Sequence, residues 1–330
     1  WGVADYCARG ATRTGGTFLT LLVIQVVAVA AFLAVVAPFG LLSLATLAQN
    51  PLSTVLYAAL LNLLIMLGAG LLYRAFAIGV IALISPIAAG FAAITTLLAI
   101  LFGERPTPAQ ILGLILTLIG VIVASSVPNP QNPLDQAVVS DAPANAPAKG
   151  PHRRRLLAPG VVEVLGASVL FGVCYYALRE VSTLGGVTVA FIGKVADLVA
   201  LGALAVLAPL MAWGWRAWRG DTRVTTTTLM KSPAQPYPWY ALRLPTTNGR
   251  TLRRFLIFVI PTSLLDTAAN VAYNVGIDNA GALTSVVATI SSLFSVVTVL
   301  LAWVFLRERL ARWQWVGVAA IFVGVALVNW

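Results

Sequence analysis

A block of sequence that occurs twice restricts the fold of this chain more than any other feature. The two copies are Gly103-Glu104-Arg105, Gln110, Gly113 and Gly120, and then Arg307-Glu308-Arg309, Gln314, Gly317 and Gly324. Glu104 and Glu308 lie 204 positions apart, and the same spacing separates the glutamines and both pairs of later glycines. In each copy the glutamate follows one long apolar run and the glutamine begins another. Two related halves built from apolar segments are typical of membrane transporters.

A second duplication lies upstream, at a spacing of 170 positions. It matches Trp1-Gly2-Val3, Tyr6, Arg9 and Gly15-Gly16 with Phe171-Gly172-Val173, Tyr176, Arg179 and Gly185-Gly186. The counterpart of the first helix begins well before Phe171, so we expect the N-terminal part of helix 1 to be absent from this chain. The symmetry breaks farther on, because Lys194 and Asp197 correspond to Ile24 and Val27.

The composition indicates a membrane protein. Apolar residues make up 59% of the 330 positions and charged residues 10%, with a mean hydropathy of +0.92, whereas soluble domains have roughly a quarter charged residues. The apolar runs are about 20 residues long and do not alternate, as expected for membrane-spanning helices. Most of the positive charge behind the net charge of +10 lies between these runs. This placement indicates membrane orientation rather than a nucleic-acid partner.

The apolar segments predict an all-α integral membrane protein with ten transmembrane helices. We expect these helices at 1–8 (the tail of helix 1), 17–37, 53–73, 79–102, 108–125, 157–178, 186–212, 255–276, 281–304 and 311–328. Five spans in each half would give the halves opposite orientations in the membrane, as two inverted five-helix repeats. The predicted domains are a first repeat at 1–126, a Pro/Ala-rich linker at 127–156, and a second repeat at 157–330 that carries a long basic loop at 213–254.

The basic residues also predict an orientation. Of the 21 lysines and arginines, 18 lie in or beside the odd-numbered loops and two lie in the even-numbered loops. The positive-inside rule then places the odd-numbered loops in the cytoplasm and both termini outside. A cluster of tryptophans at 213–218, flanked by arginines, is typical of an anchor at the membrane interface.

Three positions are candidates for structural or gating roles. Glu104 and Glu308 each end one predicted helix just before the next, where a carboxylate can accept hydrogen bonds from the amides of a helix N-terminus. Two interpretations remain open for them: a structural clamp, or a gate or proton carrier. Pro86 is expected to kink the fourth helix. The paired glycines of the duplicated block lie two helical turns apart, which favours close packing of helices.

Charged and amide side chains inside predicted helices are candidates for a solute cavity. Lys194 and Asp197 lie one turn apart in the seventh helix, where a charge at mid-membrane costs about 2.5–3.5 kcal/mol. Either they neutralise each other, or Lys194 faces the cavity and meets a carboxylate of the solute or of the eighth helix. Asp266, Asn270 and Asn274 form a polar stripe on that eighth helix, which lines a cavity or hydrogen-bonds to neighbouring helices.

We expect Asp266 and Lys194 to form an intramembrane ion pair that a solute or a proton disrupts. Asn62 adds a polar position to the third helix. Tyr6 and Tyr176 are aromatic residues with a polar tip on helices that are expected to approach the cavity, although packing alone would also explain them.

The sequence contains no sign of chemistry on a substrate. Gly193-Lys194 resembles a fragment of a phosphate-binding loop, but Val195 follows where serine or threonine is needed. His152 is the only histidine, and Cys7 and Cys174 lie in predicted helices. We therefore expect no enzyme activity, no metal site and no cofactor.

The duplicated text resembles the EamA-domain branch of the drug/metabolite transporter superfamily. The matching segments are LLAILFGERPTPAQILGLILTLIGVIVAS, LLAWVFLRERLARWQWVGVAAIFVGVALV, and WGVADYCAR at the end of helix 1. The resemblance implies ten helices, a central cavity between the halves, and secondary active transport, commonly export of amino acids, metabolites or drugs. It also implies that both termini lie in the cytoplasm, opposite to the orientation predicted by loop charge.

Together these features predict a secondary active transporter, most simply an exporter, in the plasma membrane. It would move a small neutral, zwitterionic or amphipathic organic solute by alternating access, with protons as a candidate coupling ion. The cavity is expected between helices 1, 3, 4, 6, 8 and 9, with Lys194 contributed by helix 7. Two alternatives remain open: a divalent-cation permease of the same fold that uses Asp5, Asp197 and Asp266, and a non-transporting membrane scaffold or sensor.

Overall fold

The chain is helical throughout the part that the structure describes. A computed structural model describes residues 1–40, 44–103, 107–125, 158–218, 249–280, 284–306 and 312–328. Within these ranges no residue forms a β-strand. An all-α fold follows from the apolar runs, because a helix satisfies its own backbone hydrogen bonds where water is absent.

The first half of the chain forms seven of the described helices, several of them joined end to end. These are α1 (Gly2–Gly15), α2 (Thr17–Ala31, continued by a π-helical turn at Phe32–Val36), α3 (Leu44–Gln49), α4 (Leu52–Ile78), α5 (Ile81–Ala89), α6 (Phe91–Leu101) and α7 (Pro108–Ser125). The bounds of α7 agree with the predicted helix at 108–125. Helix α1 is longer than predicted and extends to Gly15.

The second half forms six described helices. These are α8 (Val161–Ala177, continued by a 3₁₀ segment at Leu178–Leu184), α9 (Gly186–Trp218), α10 (Gly249–Ala280), α11 (Thr284–Ser292), α12 (Phe294–Leu301, continued by a π-helical turn at Ala302–Leu306) and α13 (Arg312–Val328). Helices α9 and α10 both extend into the predicted basic loop at 213–254. The tryptophan cluster at 213–218 therefore belongs to the end of α9, and residues 219–248 lie outside the described ranges.

Length and hydropathy identify the helices that can cross a bilayer. Six candidate spans lie within the described residues, at Thr17–Val36, Leu52–Ile78, Ile81–Leu101, Val161–Leu184, Gly186–Leu207 and Gly249–Asn279. Two shorter apolar helices lie at Ile290–Leu306 and Trp315–Leu327. The chain is thus an integral, multi-pass membrane protein, because a span needs about 20 apolar residues.

Two segments that the sequence predicts as single helices are each interrupted. The predicted helix at 79–102 is divided into α5 and α6 at Gly90, and the predicted helix at 281–304 is divided into α11 and α12 at Leu293. In both breaks a backbone amide reaches back only three residues: Gly90 N–H to Ile87 O at 3.1 Å, and Leu293 N–H to Ile290 O at 3.3 Å. Tightened turns of this kind bend a helix axis.

Pro86 lies inside α5, four residues before the break at Gly90. Its side chain is buried, and a proline has no amide hydrogen to donate to the preceding turn. The other break, at Leu293, has no proline or glycine at that position. A break that occurs in both halves therefore has a cause beyond Pro86.

The paired glycines of the duplicated block bring α7 and α13 into direct contact. A Cβ atom at Gly120 would lie 2.7 Å from the carbonyl oxygen of Gly317, and one at Gly324 would lie 2.6 Å from that of Gly113. The predicted role of these glycines in close helix packing is therefore confirmed, since a side chain at either position would collide with backbone. The contact is reciprocal: Gly120 of α7 meets Gly317 of α13, and Gly324 of α13 meets Gly113 of α7. Each contact therefore joins the later glycine of one copy to the earlier glycine of the other.

We expect Gly324→Ala to lower the free energy of unfolding by about 1–3 kcal/mol, because the added methyl group would meet the rigid backbone of α7. The measurement is the midpoint of thermal unfolding of the purified protein in detergent. Gly202→Ala in α9 is the matched control, since a Cβ atom there meets nothing within 4 Å. An equal loss of stability in both variants would show that the α7–α13 contact is not close packed.

A second pair of contacts also joins the two halves. The hydroxyl of Thr95 in α6 donates to the carbonyl oxygen of Gly172 in α8 at 3.0 Å. The hydroxyl of Thr298 in α12 donates to the carbonyl oxygen of Gly2 in α1 at 3.1 Å. The two glycines are 170 positions apart, which is the spacing of the upstream duplication. The two equivalent glycines thus each accept a hydrogen bond from a threonine of the other half.

Candidate functional site

The described helices line a partly open cavity between them. It is lined by residues of α1, α2, α4, α6, α8, α9, α10 and α12, namely Trp1, Asp5, Leu21, Ile24, Gln25, Asn62, Ile65, Met66, Ala69, Leu72, Tyr73, Phe91, Phe171, Tyr175, Ala190, Lys194, Asp197, Asp266, Asn270 and Phe294. Its volume is about 70 Å³, well below the roughly 300–1,000 Å³ of pockets for drug-sized ligands. In this conformation the cavity has room only for a small molecule.

The cavity is centred on an ion pair between α9 and α10. The Lys194 Nζ atom lies 2.8 Å from Asp266 Oδ2, and the two side chains are 8% and 19% exposed. The other carboxylate oxygen, Asp266 Oδ1, accepts a hydrogen bond from the Trp1 indole N–H at 3.1 Å. Lys194 is therefore paired across helices with Asp266, which is the pair that the sequence predicted.

Asp197 lies one turn farther along α9 and has a different partner. Its Oδ2 atom accepts a hydrogen bond from the Gln25 amide of α2 at 3.2 Å. Its Oδ1 atom is buried and has no hydrogen-bond partner among the described residues. Within the described residues Asp197 forms no ion pair: the Lys194 ammonium, one turn away, attracts it electrostatically but lies in direct contact with Asp266.

Asp5 brings a third carboxylate to the cavity, from α1. The residue is 5% exposed, and its Oδ2 atom has no hydrogen-bond partner among the described residues. Asp266 interacts electrostatically with both Asp5 and Asp197. Three acidic side chains and one lysine therefore share this small volume.

The amide side chains of the predicted polar stripe bond to their own helices. The Nδ2 atoms of Asn270 and Asn274 donate to the carbonyl oxygens four residues earlier, at 2.8 and 2.9 Å, and Asn62 in α4 does the same at 2.8 Å. Asn270 and Asn62 line the cavity, whereas Asn274 is buried where α10 meets the start of α9. A Cβ atom at Gly193 would lie 2.9 Å from that of Asn62, so this glycine lets α9 approach α4 closely.

Six aromatic residues line part of the cavity, and we call this part the aromatic wall. Its members Trp1, Tyr73, Phe91, Phe171, Tyr175 and Phe294 all line the cavity. The Tyr175 ring is central, since its centroid lies 5.9 Å from that of Trp1, 5.3 Å from Phe91 and 5.7 Å from Phe171. Rings at these separations pack against one another.

Two tyrosines that the sequence proposed for the cavity lie elsewhere. Tyr6 packs its ring at 5.9 Å from Phe305, and Tyr176 stacks on Phe102 at 5.7 Å with the Arg179 guanidinium 4.1 Å above the ring. Neither residue is among the described residues that line the cavity. Each follows a lining residue by one position, Asp5 or Tyr175, and a helix turns successive side chains by about 100°.

Gln25 and Trp1 line the cavity but were not predicted to do so. Asp5 also lines it, and the sequence suggested this residue only as a ligand of the alternative cation permease. Gln25 carries the only amide in the apolar run 17–37, and an isolated amide within a span was a signal that could have indicated the contribution of α2. Trp1 gave no such signal, because a tryptophan in an apolar segment is compatible with any packed position.

Of the three positions predicted to have structural or gating roles, one lies within the described residues. Pro86 lies in α5 as described above, whereas Glu104 and Glu308 lie outside the described residues. Within the described ranges, no three His, Cys, Asp or Glu side chains gather closely enough to hold a metal ion.

Comparison with known proteins identifies a family for the second half. The model of the EamA-like transporter family matches residues 158–330, which is more than half of the chain. Fifteen chains of solved structures are similar in fold. One of them, a crystal structure, is 17% identical with a TM-score of 0.50, and the match covers 99% of this chain and 94% of that chain. No curated protein matches the sequence.

Proposed function

The chain belongs to the EamA-like transporter family and is a membrane transporter of the drug/metabolite type, and we propose that it moves small organic solutes by secondary active transport with alternating access. The observation that carries this proposal is the buried polar cavity around Lys194 and Asp266. Charged groups are rare within the membrane and commonly line solute pathways. Amino acids, metabolites and drugs are the solute types that this proposal covers.

Two inverted five-helix repeats, with ten spans in all, are part of the proposal. The reciprocal glycine contact between α7 and α13 supports this architecture, as do the Thr95–Gly172 and Thr298–Gly2 hydrogen bonds. The interruptions at Gly90 and Leu293 lie 203 positions apart, as do the two threonines. In an inverted repeat the two halves can exchange conformations, so that a central cavity opens first to one side and then to the other.

Coupling to protons is proposed from the acidic side chains. A buried carboxylate without a cationic partner is costly in its charged form, so it holds either a proton or a bound cation. Asp5 and Asp197 are in this situation, since neither has an ion-pair partner among the described residues. Export across the plasma membrane, with Glu104 and Glu308 as clamps or gates outside the cavity, completes the proposed function.

Two other functions predict different results. A divalent-cation permease of this fold would use the carboxylates of Asp5, Asp197 and Asp266 as metal ligands, but Lys194 already neutralises one of them. A scaffold or sensor of this fold would keep the architecture without moving a solute. Transport by the purified protein separates both from the proposed function.

The experiment is flux across proteoliposomes that contain the purified protein. A panel of labelled amino acids, organic amines, neutral metabolites and Mn²⁺ is tested with and without a proton gradient. Under the proposed function, at least one organic solute moves faster than in protein-free vesicles, and a proton gradient changes its rate. Movement of Mn²⁺ alone would favour the permease, and the absence of any flux would favour the scaffold or sensor.

A further inference from the structure

We propose that the solute of this cavity is a small organic cation whose ammonium group lies between the carboxylates of Asp5 and Asp197 and the aromatic wall. This inference rests on the proposed transport function and assigns its substrate class. It departs from the neutral, zwitterionic or amphipathic solute expected from the sequence, because the sequence did not show that Asp5, Asp197 and the aromatic wall line one cavity.

The first argument is the charge of the lining. The side chains of the described lining residues include three carboxylates and one ammonium group, and the 2.8 Å contact between Lys194 and Asp266 uses that ammonium group. Asp5 and Asp197, which are 5% and 6% exposed, each keep one buried oxygen without a hydrogen-bond partner in the described part of the chain. A cation in the cavity would satisfy both groups, and an anion would add to their repulsion.

The second argument is the aromatic wall. A cation within about 6 Å of an aromatic ring face is attracted by the ring, and cages of such rings recognise alkylated ammonium groups. Trp1 and Tyr175 lie side by side with centroids 5.9 Å apart. Trp1 also donates its indole N–H to Asp266 Oδ1 at 3.1 Å, so the aromatic wall directly contacts an acidic side chain of the cavity.

The third argument concerns anionic groups and size. Lys194 is the cationic side chain among the described lining residues, and it is paired with Asp266. A carboxylate or phosphate of a solute would have to break this pair to bind the Lys194 ammonium group. The pair is further fixed by the Trp1 indole. A volume of about 70 Å³ favours a compact head group over a polycyclic drug.

The binding test uses three probes of nearly equal shape: choline, its uncharged isostere 3,3-dimethylbutan-1-ol, and the zwitterion glycine betaine. Tetramethylammonium and ethylammonium are added as smaller cations. At saturating concentration we expect at least one cation to raise the unfolding midpoint by about 3 °C or more. We expect the isostere and the zwitterion to leave the midpoint unchanged.

The variant Asp197→Asn keeps the shape of the side chain and an oxygen for the Gln25 amide. We expect it to raise the Kd of the stabilising cation about 30-fold or more, since truncating one member of a buried charge pair costs at least about 2 kcal/mol. Glu163→Gln is the matched control: Glu163 pairs with Arg74 at 3.5 Å, away from the cavity, and its replacement should leave the Kd unchanged. If Asp197→Asn does not fold, Asp5→Asn provides the same test.

Three results would overturn the assignment: stabilisation by none of the cations, equal stabilisation by the isostere or the zwitterion, or an unchanged Kd in folded Asp197→Asn. The proposed function can fail separately. Flux of neutral or zwitterionic solutes alone would retain the transporter and reject the organic cation. Stabilisation by cations without any flux would retain the binding site and reject the transporter.

Discussion

Lys194→Met alone is expected to destabilise the protein by about 3–5 kcal/mol, because it leaves the Asp266 carboxylate buried without its cation. In the intact protein the two groups are 2.8 Å apart and both largely withdrawn from solvent. Asp266→Asn should also destabilise, since Lys194 then loses the carboxylate with which it is paired. The measurement is the midpoint of unfolding in detergent, followed by the intrinsic fluorescence of the nine tryptophans, of which Trp1 lines the cavity.

The double variant Lys194→Met/Asp266→Asn tests whether the single variants are destabilised because each leaves one buried charge without its partner. It removes both charges, and the asparagine oxygen can still accept the hydrogen bond from the Trp1 indole. We expect most of the stability to return, because replacing a buried pair by uncharged groups is often neutral. Equal destabilisation in the double variant and both single variants would show that the pair does not account for the loss.

Gly186→Ala is expected to have a comparable effect through backbone contact alone. A Cβ atom at Gly186 would lie 2.5 Å from the carbonyl carbon of Asn274 in α10, and the Gly186 amide donates a hydrogen bond to the Asp278 carboxylate. Neither the α10 backbone nor the first turn of α9 can yield without breaking this contact. We expect a loss of about 3 kcal/mol and weaker solute binding, because α9 carries Lys194 and Asp197.

The control for Gly186→Ala is Gly202→Ala on the same helix, where the added methyl group meets nothing within 4 Å. Its unfolding midpoint should stay the same or rise slightly, since alanine favours a helix over glycine. If Gly186→Ala unfolds at the same temperature as this control, α9 and α10 are not held as closely as the structure shows.

The fold was predictable in its main elements because membrane helices are determined by long apolar runs. The bounds of α7 agree with the prediction, and the glycine contacts between α7 and α13 follow from their spacing. The interruption at Gly90 lies four residues after Pro86, where a kink was expected, and glycine has a low helix preference. The interruption at Leu293 was not predicted, because no proline or glycine marks that position.

The site was predictable to the extent that charge within a membrane is costly. This cost singled out Lys194, Asp197 and Asp266 and gave the pair between Lys194 and Asp266. It did not give the Gln25–Asp197 hydrogen bond, because a contact between residues 172 positions apart depends on how the two halves pack. The sequence also did not predict that Tyr6 and Tyr176 pack against Phe305 and Phe102 rather than line the cavity.

The departures from repeat symmetry are more informative about the solute than the repeat itself. Equivalent contacts such as Thr95–Gly172 and Thr298–Gly2 hold the halves together in the same way. By contrast, Ile24 and Val27 stand in the first half where the second half has Lys194 and Asp197. The charged groups of α9 are therefore a specialisation of one half, added to a frame that both halves share.

The most direct test of the transport site is solute counterflow in proteoliposomes, comparing the wild-type protein with the double variant Lys194→Met/Asp266→Asn. Folding of the variant is verified first by its unfolding midpoint. We predict that the wild-type protein exchanges at least one organic solute of the panel and that the folded double variant retains less than about a tenth of this rate, as expected when about 1.4 kcal/mol or more of solute interaction is lost. A folded double variant that exchanges every solute at the wild-type rate would contradict the assignment of this cavity as the transport site.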